Sequence, residues 1–287
     1  MSSVRAPVGE ALQSAVDAIA AAGCEAARLD AELLLAAATG WERAEIAAQP
    51  DRRLPVGAGR EFAAMVRRRV RREPVAYILG RKGFRRLELV VDGRVLIPRP
   101  ETELLVEVAL EVGPRTALDV GTGSGAIALA IADEVPDARV VGIDTSLDAL
   151  RVAQANCERL GLDQRVDVVS RGIGSLDGAG PDGEALELLV ANLPYVGESD
   201  WEGLQPEIRD YEPREALVAG PTGLEMIEAL SSELSGLDQR PRVVALEIGI
   251  GQAERVRELL ERAAYGQLEV RRDLAGVERV VVGRDAR

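Results

Sequence analysis

Four consecutive residues, Asn192-Leu193-Pro194-Tyr195, carry the sharpest chemical signal in this sequence. They follow "LELLVA", an apolar run that reads as a buried strand, so an amide and a ring stand at a strand's carboxyl end. Asn192 offers a side-chain carbonyl and Leu193 a backbone carbonyl. Pro194 fixes its own φ and pushes Leu193 into an extended conformation, which aims both acceptors. A planar NH₂ group, on a carboxamide or on a base, could donate one hydrogen to each, and Tyr195 could pack flat against it. The lone pair of such a nitrogen is delocalised and barely nucleophilic. Two acceptors that turn it towards an activated carbon favour in-line displacement. The alternative is an asparagine that caps the next turn, beside an ordinary buried tyrosine.

A second cluster suggests what supplies that carbon. "LDVGTGSGAIALA" sets Gly121, Gly123 and Gly125 at a strand-to-helix turn, where glycine lets backbone approach a ligand. Asp144 ends the next strand, where a carboxylate can accept both ribose hydroxyls. "GSGAIA", from Gly123, also fits the dinucleotide fingerprint. Asp119, two residues before Gly121, separates the two readings. Its charge repels a pyrophosphate and favours the ammonium of S-adenosylmethionine, although a structural cap is the other reading of the same residue. A further loop, "EIGIGQAERV", has only Gly249 and Gly251 and reads as plain turn geometry.

The composition limits the chemistry. The 287 residues include no histidine, which removes Ser-His and Cys-His hydrolysis and the usual zinc sites, and no metal centre is expected. Cys24 and Cys157 stand far apart, which argues against a disulfide framework and for a reducing cytoplasm. No apolar run could span a bilayer, and "MSSVRAPVGEALQ" lacks a signal-peptide core. The formal charge is −13, yet residues 60–86 hold ten basic against two acidic residues, a local +8 that leaves −21 elsewhere. So acidic a body repels nucleic-acid phosphate and suits a basic protein partner. The run "RRRVRR" at residues 67–72 reads either as an RNA footprint or as the solvated C-terminal face of a helix.

The elements that must position these residues fall into two groups. Residues 1–80 read as helices only: "EALQSAVDAIAAAG", "RLDAELLLAAATG" and "GREFAAMVRRRVRRE" have apolar residues three and four apart. Residues 81–100 read as a joint. "LELVVDGRVLI" predicts a β-hairpin turning at Asp92-Gly93, and "PRPETE" opens a helix at Glu101. From Arg115 strands alternate with helices, which predicts a doubly wound, Rossmann-like α/β sheet over residues 101–287 with ligands at its carboxyl ends. "LELLVAN" is then the fourth strand, beside the first, and "QLEVRRDLAGVERVVVG" closes the sheet with a hairpin.

These residues resemble the HemK/PrmC methyltransferases, which modify the glutamine of the Gly-Gly-Gln motif in peptide chain release factors. The similarity runs through "EPVAYILGRKGF", "LIPRPETELLVE", "LDVGTGSGAIALAIA", the Asn-x-Pro-Tyr rim and "YEPREAL" at residues 211–217, with "LIPRPETE" the most diagnostic. The resemblance implies a class I S-adenosylmethionine-dependent fold behind a small helical domain that helps grip the release factor. It also implies that Gly121, Thr122, Gly123, Ser124, Gly125 and Asp144 hold the cofactor. Asn192 and the Leu193 carbonyl would hold the glutamine amide, with Pro194 and Tyr195 shaping its slot. Residues 99–102 would either border that pocket or simply start a helix. A cytoplasmic monomer is expected.

Two departures stand out. Leu193 replaces the first proline of Asn-Pro-Pro-Tyr, and "Asn-Leu-Pro-Tyr" also resembles the motif of rRNA adenine dimethyltransferases. Where the family places an acid for the adenine amino group, this chain has "SRGIG". Arg171 cannot accept that hydrogen bond, which leaves backbone near Gly172 or the carboxylate of Asp167. Two rival readings follow: an adenine methyltransferase acting on rRNA or DNA, with a wider basic surface, and a non-catalytic scaffold that binds the cofactor within the translation machinery.

Overall fold

The computed structural model describes residues 6–177 and 179–285. The chain divides into two compact units, one reaching Gly80 and taking in Gln205–Tyr211, the other comprising Arg81–Leu204 and Glu212–Arg287.

The first unit is helical: α1 (Val8–Ala21), α2 (Ala27–Thr39), α3 (Arg43–Ala48), α4 (Ala58–Val70) and α5 (Val75–Leu79). In α1 the buried positions Val8, Leu12, Ala15 and Ile19 form one stripe, as the spacing predicts. They meet Leu34, Leu35 and Phe62 in a shared core. Gly40 ends α2 in the left-handed conformation. Helix α3 has no apolar periodicity to announce it; a reciprocal capping box between Glu42 and Glu45 starts it.

The basic run of α4 is largely spent inside this unit. Arg69, 6% exposed, donates to Asp30 at 2.7 Å and to Glu207 at 2.8 Å. Arg72 donates to the other oxygen of Glu207, and Arg68 pairs with Glu73. Three arginines of "RRRVRR" therefore serve as internal ties rather than as a footprint for RNA. Buried charge is tolerated here because each guanidinium meets a carboxylate.

The second unit opens with a hairpin, β1 (Arg81–Phe84) and β2 (Leu87–Val90), and its turn corrects the expectation at Asp92-Gly93. The chain reverses at Arg85-Arg86, with Arg85 at φ 51°. Tertiary contacts select that turn: Glu103 accepts the Arg85 N–H, and Glu134 receives its guanidinium in two bonds of 2.8 Å. Asp92 instead folds back on Arg94, accepting its N–H at 3.1 Å in a local turn. The hairpin groups with the second unit.

Helix α6 (Glu103–Val112) follows a short 3₁₀ turn at Pro100–Thr102. The alternation then runs β3 (Thr116–Val120), α7 (Ala126–Glu134), β4 (Arg139–Asp144), α8 (Leu147–Leu160), β5 (Val166–Ser170), β6 (Leu188–Ala191) and β7 (Val196–Gly197). After α9 (Pro206–Arg209), in the segment grouped with the first unit, come β8 (Val218–Gly220), α10 (Glu225–Gly236), β9 (Val243–Glu247), α11 (Ala253–Arg262), β10 (Tyr265–Arg272) and β11 (Glu278–Asp285).

Seven strands form one sheet in the order β10-β11-β9-β6-β3-β4-β5. Strands β9, β6, β3, β4 and β5 are parallel, and β11 runs antiparallel between β9 and β10. Leucines and valines of β3, β6 and β9 pack with α10 and α11, while α6 and α7 cover the sheet from the other side. The order of strands reverses at β3. There Val120 is paired with Ile143 on one side and with Ala191 on the other. The next residue along each chain, Gly121, Asp144 and Asn192, thus stands level with the other two, at the switch point where open α/β sheets bind ligands.

Candidate active site

A cavity of about 310 Å³ opens at that point, within the size range of small-molecule sites. Gly121, Gly123, Asp144, Gly172, Asn192, Leu193 and Pro194 line it. Asp119, Thr122, Ser124, Gly125 and Tyr195 do not.

The glycine loop is shaped by its own hydrogen bonds. Gly121 and Thr122 both donate to the Ile143 carbonyl at 2.9 Å, Gly125 donates to Thr122, and Gly123 donates to Asp144 Oδ2 at 2.9 Å. Four loop amides are thereby committed to the protein, so the loop does not offer a phosphate the array of free N–H donors that anion sites use. Gly121 has φ 76°, and a Cβ there would come within 3.3 Å of Leu193 Cδ2. Leu193 is thus the residue that packs on the loop, with its backbone left to the rim. Gly125, at φ 82°, takes the left-handed conformation that favours glycine where the loop enters α7.

Asp119 is fully buried beneath this loop. Its Oδ2 accepts from the Thr122 hydroxyl at 2.7 Å and from the Ala128 N–H at 3.1 Å, while Oδ1 has no partner. Asp119 therefore caps the loop and the start of α7. Burial raises its pKa to about 7, against the opposing pull of the Thr122 and Ala128 bonds.

Asp144 is placed for contact. Oδ1 accepts the Ser146 N–H and Oδ2 the Gly123 N–H, both at 2.9 Å. These bonds fix the carboxylate on the cavity wall, and its remaining lone pairs suit a pair of vicinal hydroxyls. Arg171 shares this wall, with Nη1 buried and unpartnered. Asp167 lines a different hollow, with Asp163 and Asp182, so the backbone near Gly172 is the group that faces the cavity.

The rim is braced from three sides. Asn192 Nδ2 donates to the Thr102 hydroxyl at 3.1 Å. The Tyr195 hydroxyl donates to Glu247 at 3.3 Å, and the Tyr195 carbonyl accepts from Gln252 Nε2 at 3.1 Å. Gln252 follows Gly249 and Gly251, so the second glycine loop serves as a turn that supports the rim. The Tyr195 hydroxyl is thus tied to Glu247, and burial beside that carboxylate raises its pKa. Among the described residues, nothing donates to Asn192 Oδ1 or to the Leu193 carbonyl.

Several contributors carry no signal that single-sequence reading can use. Asn156 of α8 accepts from Val90 N at 2.7 Å and donates to the carbonyls of Val90 and Ser124, each at 3.0 Å, which ties the hairpin to the glycine loop. The motifs at residues 96–102 and 211–217 are locked together: Glu212 accepts from Arg99 and, at 3.0 Å, from the Ile97 N–H. Leu96, Pro213 and Glu215 beside that lock line the cavity, whereas residues 99–102 do not.

S-Adenosylmethionine fits this donor set. Asp144 offers acceptors that suit ribose hydroxyls, and Leu96, Ala149, Ile173 and Met226 give an apolar surface for a planar ring. A dinucleotide pyrophosphate is opposed by the spent amides of the loop.

Comparison with known proteins agrees. Residues 10–80 match the family model described as PrmC N-terminal domain, and residues 117–211 match a methyltransferase domain. A release factor glutamine methyltransferase of Geobacter sulfurreducens is 40% identical over 93% of this chain and 92% of its own. One of Caulobacter vibrioides is 37% identical over 96% and 95%. Among solved structures, the N-terminal domain of human METTL16 in complex with SAH superposes with TM-score 0.52 at 14% identity, over 68% of this chain and 75% of that one. At that identity the likeness shows the class I methyltransferase fold alone.

Proposed function

This chain belongs to the family of release factor glutamine methyltransferases, and we propose that its substrate is the glutamine of the Gly-Gly-Gln motif in class I peptide chain release factors, methylated on the side-chain amide nitrogen. S-Adenosylmethionine, when bound, supplies a methyl group already activated by its sulfonium. The observation that carries the reading is the position of two uncommitted acceptors, Asn192 Oδ1 and the Leu193 carbonyl, on the same wall as Asp144.

The chain's own residues have three tasks. Gly121, Gly123 and Asp144 seat the cofactor. Asn192 and Leu193 accept one hydrogen each from the glutamine NH₂, which orients its weak lone pair towards the methyl group. Pro194 holds Leu193 in place. The methylated amide nitrogen is acidic enough to lose its proton without imidazole, which suits a chain that has no histidine. The acidic body complements a basic protein partner, and its two cysteines are free and buried, as a cytoplasmic setting allows. Among the described residues no helix is long and apolar enough to cross a membrane.

Incubation with radiolabelled S-adenosylmethionine and a release factor, its Gln→Ala loop variant, rRNA or DNA tests this. Label is expected on the wild-type factor alone. Label on nucleic acid instead would replace the reading with adenine methylation.

A further inference from the structure

The side chain of Gln252 joins three loops at one point. It grows from the start of α11, where its own N–H donates to the Gly249 carbonyl at 3.2 Å and its carbonyl accepts the Val256 N–H at 3.0 Å. Val256, Leu259 and Leu260 of that helix are buried in the core, so the base of the side chain is held by packing. The amide then makes three bonds, all to backbone. Oε1 accepts the Gly249 N–H at 2.8 Å. Nε2 donates to the Tyr195 carbonyl at 3.1 Å and to the Gly223 carbonyl, in the loop between β8 and α10, at 3.2 Å.

The partners decide which way round this amide stands. The Gly249 N–H can only donate, and the two carbonyls can only accept. A half-turn would set oxygen against oxygen and N–H against N–H, and a carboxylate would have no proton for either carbonyl. The position therefore demands an amide. Room for the convergence comes from Gly223, at φ 80°, where a Cβ would lie 2.4 Å from the Tyr195 carbonyl oxygen.

What is held is one peptide group. Its carbonyl, that of Tyr195, accepts from Gln252, and its N–H, that of Val196, donates to the Leu217 carbonyl at 2.9 Å. Upstream, the Leu193 side chain is buried on the glycine loop. Pro194 lies between these two anchors, with φ fixed by its ring and no N–H of its own to be held by. The Leu193 carbonyl belongs to the peptide that the Pro194 nitrogen closes, so its aim depends on both anchors.

We propose that Gln252 is a positioning residue for methyl transfer, which fixes the peptide after Tyr195 and so holds the Leu193 carbonyl in place at the cavity. Gln252 itself does not line that cavity. The proposal rests on the substrate reading above for what the carbonyl receives, while the tie belongs to the free protein.

Gln252→Met keeps the length of the side chain and removes the three amide bonds. Faster hydrogen exchange at the Gly249 N–H should report that the tie is cut. Calorimetry should still find S-adenosylmethionine bound with wild-type affinity, and the number of binding sites counts the folded enzyme. Per site, kcat should fall about tenfold, the worth of one or two such hydrogen bonds, with KM for S-adenosylmethionine unchanged. Gln252→Glu can still accept from Gly249 but gives nothing to the carbonyls, and should lose at least as much. A merely structural role would lower the urea midpoint and leave kcat per site as it was. A kcat within twofold of wild type in these variants would reject the proposal.

Gly223→Ala crowds the same carbonyl with Gln252 intact. It should lower kcat per site in the same way, and it decides the matter alone if neither Gln252 variant binds cofactor, an unchanged kcat then rejecting the proposal. Combined with Gln252→Met it should cost less than the product of the two losses, because both act through Tyr195. Fully independent losses would reject that shared route. The release factor is the substrate in these assays. If the wild-type enzyme labels only nucleic acid, the substrate reading fails and the same ratios, measured on that nucleic acid, still test Gln252. Label on neither would reject both.

Discussion

Asn156 and Val90 exchange two hydrogen bonds, the side-chain amide of one matching the backbone N–H and carbonyl of the other at 2.7 and 3.0 Å. A side chain thus takes the place of a neighbouring strand along the edge of β2, and its second amide proton goes on to Ser124 of the glycine loop. Asn156→Ala strands three backbone groups, two of them on Val90. We expect a loss of about 3 kcal/mol in urea unfolding, summed over groups worth about 1 kcal/mol or more each. Affinity for S-adenosylmethionine should fall with it. Unchanged stability would mean that water replaces the amide at no cost.

Asp144 is the one carboxylate on the cavity wall fixed by two backbone N–H donors among the described residues. Asp144→Ala removes the acceptor for the ribose hydroxyls and releases the Gly123 amide. Calorimetry should show S-adenosylmethionine binding weakened about 10- to 100-fold, the value of hydrogen bonds to a charged acceptor. Binding within twofold of wild type would take Asp144 out of the cofactor site.

Asn192→Ala separates binding from transfer. Asn192 lies on the cavity wall beside the cofactor residues, yet its free oxygen points to no partner in the protein. Methyl transfer should drop by about 10²- to 10³-fold, as when one preorganised polar group is removed from a reacting centre. Cofactor affinity should change little. A variant of near wild-type rate would remove Asn192 from the chemistry.

Two buried acids set a pH dependence. Burial holds Asp119 and Glu247 near pKa 7, well above their ordinary values of 3.8 and 4.5. The folded protein therefore keeps protons that the unfolded chain releases, and stability falls as pH rises from about 4 to about 7. Chemical unfolding of the cofactor-free protein across that window should show this fall, and Asp119→Asn should reduce it. A steeper fall in the variant would contradict the assignment.

The parts of this site that could be read in advance are those built from neighbouring residues. Gly121 to Gly125, Asp144 and Asn192 each end a strand whose apolar pattern is local, and the alternation of elements then brings those ends together. The supports could not be read that way. Thr102 meets Asn192 across 90 positions of sequence, and Asn156 reaches Val90 across 66. Nothing in the residue types near either partner announces the other. The hairpin shows the same limit from the opposite direction. Asp92-Gly93 has the better turn chemistry, but Glu103 and Glu134 hold Arg85, and those distant carboxylates decide where the chain reverses.

The segment Gln205–Tyr211 bears on how such a protein can be recombined. Those seven residues sit within the methyltransferase half of the sequence yet group with the helical unit, where Glu207 answers Arg69 and Arg72. The boundary at Gly80 is therefore only one of the seams. Moving residues 1–80 of this chain into another protein separates Arg69 and Arg72 from Glu207, unless residues 205–211 travel with them. The helical unit of this chain is thus made of two pieces of sequence, and a change at Glu207 bears on Arg69 and Arg72.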